Sequence, residues 1–195
     1  MPKIVTEETK EDIRLEILKI AYKLIRKYGL THTSIEKITK ECNIGKGTFY
    51  LYFHSKEELI VALMKKQGHD SMLQFQNILN GREKMNREEG KEYIKYVINR
   101  DDSIYRFLPI EYLKKIESQF PEQWDSIQPG HRTETIGILL SHIEGVKQDV
   151  DVSIVADLMK VCSVAFHNWD SSIVKPPKEE IENNIYNHLF SLIFE

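Results

Sequence analysis

Lys46 stands between two glycines in the stretch NIGKGTFYLYFHSKEEL, residues 43–59, with Phe49, Tyr50, Tyr52 and Phe53 crowded behind it and Lys56 close after. A cation beside glycine-exposed backbone N–H groups suits phosphate, and aromatic rings next to it suit either a packed core or a nucleic-acid surface. Three chemistries therefore compete: phosphate binding for catalysis, a buried turn, and a face that meets nucleic acid. The catalytic version fails on spacing. A phosphate-cradling loop needs a glycine five residues before the Gly-Lys pair, and Lys40 occupies that position. A dinucleotide fingerprint needs a third glycine where Tyr50 stands, and no strand precedes the segment. The seven histidines show no HExxH or comparable ligand spacing, and no serine sits in a nucleophile elbow. The sequence therefore offers no catalytic residue, no metal set and no cofactor site.

The elements that must position Lys46 are helical. Ile13, Ile17, Ile20, Ala21, Leu24, Ile25 and Tyr28 recur at three-four spacing and predict a helix that Gly29 ends. Thr33 with Glu36 reads as a capping box opening a short helix with Ile35, Ile38, Thr39 and Cys42 on its buried stripe. Asn43 tolerates a left-handed turn, and a further short helix from about Gly45 buries Phe49 and Phe53, four apart on one face. Ser55 with Glu58 reads as a second capping box that launches a longer helix. Two short helices are not stable alone, so the unit at 33–53 must pack on the helices before and after it. With Phe49 and Phe53 inward, Lys46, Gly47, Thr48, Tyr50 and His54 must face out. Such a face fits a DNA major groove flanked by phosphates.

Beyond residue 79 the pattern predicts a polar loop within 80–92, helices around Tyr93–Ile98 and Tyr105–Phe120, and one opened by Pro121. Gln128-Pro129-Gly130 marks a break, and helices over about 131–147, 152–169 and 178–194 close the chain, the last introduced by Pro176-Pro177. No alternating run reads as a strand, so the expected fold is all-α with about nine helices.

Hydrophobic content of 41% with 29% charged residues is globular composition, and no apolar run reaches membrane-spanning length. The first fourteen residues lack the apolar core of a signal peptide. Cys42 and Cys162 lie far apart and read as buried free thiols of a protein in the reducing cytoplasm. The net charge of −3 conceals an asymmetry: residues 1–67 hold 13 Lys/Arg against 9 Asp/Glu, the remainder 14 against 21. A cationic end on an acidic body is what a polyanion-binding protein needs.

The run TSIEKITKECNIGKGTFYLYFHSKEEL, residues 33–59, together with the preceding YGLTHTS, resembles the TetR-type transcriptional regulators. The resemblance covers about residues 9–64; the remainder is matched to no subfamily. It implies a three-helix helix-turn-helix DNA-binding domain at 1–54 and a helical ligand-binding and dimerisation domain at 55–195, connected by the helix from 55. By position, Thr33 and Ser34 would bond a phosphate, and Lys46, Gly47, Thr48 and Tyr50 would face the major groove. Tyr52, His54 and Lys56 would grip phosphates beside it. Asn43 stands for the usual turn glycine, Gly45 for a capping serine and Thr39 for a small alanine at the helix crossing.

The resemblance further implies a homodimeric regulator, most often a repressor, bound to a palindromic operator and released by a small molecule. The alternative function is a DNA-bound structural or division-control factor of the same fold without an effector. For an apolar or aromatic effector the candidate residues are Tyr96, Tyr105, Phe107, Tyr112, Trp124, His142 and Phe166, all of which also suit a core. The family pairs its last two helices across a two-fold axis. That makes Met159, Cys162, Phe166, Ile185, Leu189 and Ile193 the candidate dimer interface. A weak N-terminal arm from Lys3 and Lys10 is a further expectation.

Overall fold

The computed structural model describes residues 7–100, 102–127, 131–167, 169 and 176–195. Lys3 of the expected arm and the break at 128–130 lie outside the described residues. Among those described, the fold is all-α: ten α-helices, one 3-10 turn and no strand. In chain order the helices are α1 (Glu7–Tyr28), α2 (Ile35–Glu41), α3 (Lys46–Tyr50), α4 (Lys56–Leu79) and α5 (Arg87–Asn99). After the 3-10 turn Ile104–Phe107 come α6 (Ile110–Gln119), α7 (Pro121–Ile127), α8 (His131–Ser141), α9 (Val152–His167) and α10 (Lys178–Ile193).

The chain forms two compact units. Unit 1 comprises residues up to Met72 and Ser103–Ile127; unit 2 comprises Leu73–Asp102 and the chain from Gln128 on. This division differs from the expected one between 54 and 55, because the apolar face of α4 continues the core begun by α1. Leu59, Ile60, Leu63 and Met64 share one core with Ile17, Leu18, Ile25, Ile38, Phe49 and Phe53. Ile104, Leu108, Ile116, Trp124 and Ile127 belong to that same core, so the segment 103–127 completes unit 1.

Local chemistry accounts for the boundaries. Gly29, at φ +79, ends α1 in the left-handed conformation, and its N–H reaches the Ile25 carbonyl at 2.8 Å. The cap of α2 is Ser34, whose hydroxyl accepts from the Lys37 N–H, and not Thr33 as the spacing to Glu36 suggested. Asn43 adopts φ 53 between α2 and α3, as its tolerance for that region allows. At the start of α4, Ser55 Oγ accepts from the Glu58 N–H at 3.0 Å, and the Glu58 carboxylate accepts from the His54 N–H at 2.6 Å. The second reciprocal bond thus falls one residue earlier than in a standard capping box.

Two boundaries depart from the sequence reading. The helix α5 opens inside the stretch read as loop, because Asn86 and Glu89 form a complete capping box. The helix α8 ends at Ser141 instead of continuing to 147. Beyond it the backbone pairs with other segments: Met85 donates to the His142 carbonyl at 2.8 Å and accepts from the Glu144 N–H at 3.0 Å. A second single bridge joins Val146 to Phe194.

The bridge at Met85 seats Ile143 over α5 at Gly90. A β-carbon placed on Gly90 would stand 2.3 Å from Ile143 Cγ2, too close for any unshifted packing. Gly68, in α4, has nothing within 4 Å of the same position and lies on an exposed face. The two glycines therefore have opposite substitution signs. Gly90→Ala overpacks unit 2 and is expected to cost about 1–3 kcal/mol. Gly68→Ala restores helix propensity and is expected to add up to about 1 kcal/mol. Thermal or urea denaturation of the two variants checks both signs.

Candidate nucleic-acid interface

The five residues of α3 make too few hydrogen bonds to hold a helix by themselves, so its orientation comes from two phenylalanines. Phe49 and Phe53 are 0% and 1% exposed, with ring centroids 5.8 Å apart, and the Arg14 guanidinium lies over the Phe53 ring. Anchoring that face turns the rest outward. Lys46, Gly47, Tyr50 and His54 are exposed, and Thr48 and Tyr52 are half-buried. Tyr50 keeps 45% of its surface accessible while its ring meets Phe49 edge-on.

Leu51 is a residue that the sequence reading missed. It sits at the C-cap of α3 with 80% of its surface exposed, between Tyr50 and Tyr52. The signal was present: a run of five apolar residues, Phe49 to Phe53, on so short a helix cannot all be buried. An exposed apolar side chain at this place suits a thymine methyl group.

The charged residues are arranged by pairs. Lys46 Nζ lies 2.5 Å from Glu36 Oε1, joining the first residue of α3 to α2. That hydrogen bond holds the Glu36 carboxyl at about 2, well below the usual range, so the acid stays ionised at pH values where a free glutamate is already protonated. Lys56 donates to the Leu30 carbonyl at 2.6 Å, and its burial lowers the ammonium from the ordinary lysine value. Its neighbour Glu57 pairs with Lys115 of α6 at 2.6 Å. Ser34 is half-buried, its oxygen accepting from the Lys37 N–H as the α2 cap.

Thr33 must be withdrawn from the expected phosphate contacts. It is 0% exposed, and its hydroxyl donates to the Gly29 carbonyl at 2.9 Å. The side chain closes the turn between α1 and α2 and presents nothing to a ligand.

The expected dimer residues are corrected as well. Met159, Cys162, Phe166, Leu189 and Ile193 are each at most 5% exposed inside the core of unit 2, and Ile185 packs against it partly buried. Met159, Cys162 and Phe166 are internal because α9 is apolar on two faces and these three lie on the inner one. Val155, Ala156, Met159, Cys162 and Phe166 point inward, while Ile154, Val161 and Val164 remain 53%, 62% and 59% exposed. A count of apolar residues cannot tell the inner stripe from the outer one.

The expected effector residues divide between the two units. Tyr105, Phe107, Tyr112 and Trp124 pack in unit 1; Tyr96, His142 and Phe166 belong to unit 2. Phe166 is a core residue at 2% exposure, Tyr105 donates to the Ile127 carbonyl, and Tyr96 donates to Gln74. The His142 ring meets Phe75 edge-on, with Nδ1 2.8 Å from the Ile138 carbonyl oxygen. A cavity of about 300 Å³ in unit 2 is lined by Lys84, Leu140, Ser141, Ile143 and Val152 among others, and by none of the seven expected residues. Among the described residues no group of three His, Cys, Asp or Glu could hold a metal ion. No described helix is long and apolar enough to cross a membrane.

Residues 17–63 match the family described as bacterial regulatory proteins, tetR family. The chain is 31% identical over 149 residues to the HTH-type transcriptional regulator YerO of Bacillus subtilis (strain 168), covering 72% of this chain and 50% of that protein. The chain spans no more than half the length of the curated relatives it matches. The fold is shared with Salmonella enterica GusR, at TM-score 0.61 and 20% identity over 97% of this chain and 98% of that one. It is shared also with NalD, the secondary repressor of the MexAB-OprM multidrug efflux pump in Pseudomonas aeruginosa, at TM-score 0.59 and 13% identity over 95% and 98%. The matched domain, its two short helices and the surrounding all-α fold agree: the chain belongs to the tetR family, and its helix-turn-helix domain occupies residues 17–63.

Proposed function

We propose that the protein is a homodimeric cytoplasmic repressor that binds a palindromic operator through α3 and is released by a small apolar or aromatic molecule. The observation that carries this reading is the outward face of α3. Lys46, Gly47 and Tyr50 are exposed on a helix whose opposite face is fixed by Phe49 and Phe53. A rigid, cationic, aromatic face of this size enters a major groove, with Lys46 and Tyr50 nearest the bases. Ser34, Tyr52, His54 and Lys56 would lie along the flanking phosphates. Lys56 reaches them with the two ammonium protons not given to Leu30. The repressor assignment follows the family resemblance and the description of NalD as a repressor.

The dimer is assigned to the outer stripe of α9. Ile154, Leu158, Val161 and Ala165 recur at four, three and four residues on one face, with Val164 at its edge. Leu158 packs partly against the core, but the exposed Ile154, Val161 and Ala165, on a helix that already buries its other face, favour a second copy related by a two-fold axis. A coupling of about 1–3 kcal/mol between effector and operator would suffice to change occupancy several-fold.

Selection of genomic fragments by the purified protein, followed by sequencing, tests the reading. The expected product is a palindrome near a promoter, with half-sites about 34 Å apart. Failure to enrich any sequence would remove the DNA-binding role.

Three substitutions divide the parts. Tyr50→Ala is expected to weaken the selected duplex by about 1–3 kcal/mol and a scrambled duplex much less. Lys56→Ala should weaken both equally and reduce the salt slope by about one. Val161→Asp is expected to convert the dimer to monomer in sedimentation equilibrium while leaving helix content unchanged.

A further inference from the structure

Lys46 does not stand free on the reading face. It is the first residue of α3, a helix with no acidic residue in its first turn and no side-chain cap. Its counter-charge comes from the neighbouring helix, where Glu36 Oε1 lies 2.5 Å away. Both side chains remain more than half exposed, so either can turn to a ligand without unfolding anything. An acid placed on the surface that meets a polyanion opposes binding unless something there answers it.

We propose that Glu36 is a specificity-determining residue of this surface, admitting Lys46 only to DNA that offers partners to both members of the pair; the proposal rests on the DNA-binding reading above. The groove edges supply such partners. Guanine presents O6 and N7 acceptors to a lysine, and cytosine presents an N4 amine to a carboxylate. Where the sequence supplies both, the ion pair is exchanged for two base contacts. Where it does not, drawing Lys46 away leaves an ionised carboxylate facing phosphates with no partner. Glu36 thus discriminates by penalising wrong sequences, which is how a repulsive element sharpens recognition.

The test compares wild type, Glu36→Gln and Glu41→Gln on the duplex that wild type enriches from a random-sequence pool and on its scrambled counterpart. Glu41 ends the same helix and its replacement removes the same charge. Glu36→Gln is expected to tighten binding to the scrambled duplex and to lower the preference for the enriched one at least about fivefold. The salt slope on scrambled DNA should steepen by about one as Lys46 is released to phosphate. Glu36→Ala should move both readouts the same way, and in a Lys46→Met background Glu36→Gln should no longer steepen the salt slope.

If Glu36→Gln only matches Glu41→Gln, or still steepens the salt slope without Lys46, this inference is overturned while the DNA-binding reading stands. If wild type enriches no sequence at all, the reading is overturned and the inference with it.

Discussion

The burial of Phe49 and Phe53 is the constraint on which the reading surface depends. A helix of five residues has no stability of its own, and its backbone bonds would fray in water. Two rings sealed into the core with α1, α2 and the first turns of α4 fix its rotation. Everything outward on α3 follows from that rotation, including the exposure of Lys46, Tyr50 and Leu51. The surface therefore derives its rigidity from a core it does not belong to. Rigidity at the point of contact lowers the ordering cost of recognition.

Charge is placed on this scaffold with similar economy. The positive balance of residues 1–67 is not simply displayed to solvent. Lys46 is tied to Glu36, Lys37 donates to the His32 carbonyl, and Lys56 donates to the Leu30 carbonyl. Each cation keeps donors for a second partner while the first holds it in position. The bonds of Lys46 and Lys56 that tie neighbouring segments together thus also aim two of the groups proposed to meet DNA.

How much of this was legible in the sequence depended on whether a short-range rule decided it. The helix stop at Gly29, the turn at Asn43 and the inward pair Phe49 and Phe53 are local matters of φ preference and four-residue spacing, and they were readable. Thr33 was not: two adjacent hydroxyl residues can each cap α2, and the choice of Ser34 rests on the Gly29 carbonyl, which takes the Thr33 hydroxyl. The inner and outer stripes of α9 were equally opaque, since both are apolar and only packing against α5, α8 and α10 selects the inner one. The ion pair between Glu36 and Lys46 spans ten residues and a turn, and no periodicity foretells it. The end of α8 at Ser141 was decided by backbone pairing with Met85, a contact 57 residues away in sequence that composition cannot express.

The segment from Ser103 to Ile127 belongs to the same core as α1, α2 and α3. The unit that carries the helix-turn-helix is therefore not one continuous stretch of chain. Cutting after α4 would strip Ile104, Leu108, Ile116 and Trp124 from a core that contains Ile17, Leu59 and Phe49, exposing apolar surface that the intact chain never shows. Dissection of this protein into a portable DNA-binding fragment, or exchange of its first third with that of a relative, must carry the later segment along or supply a substitute. Modularity here belongs to the three-dimensional unit and not to the linear sequence.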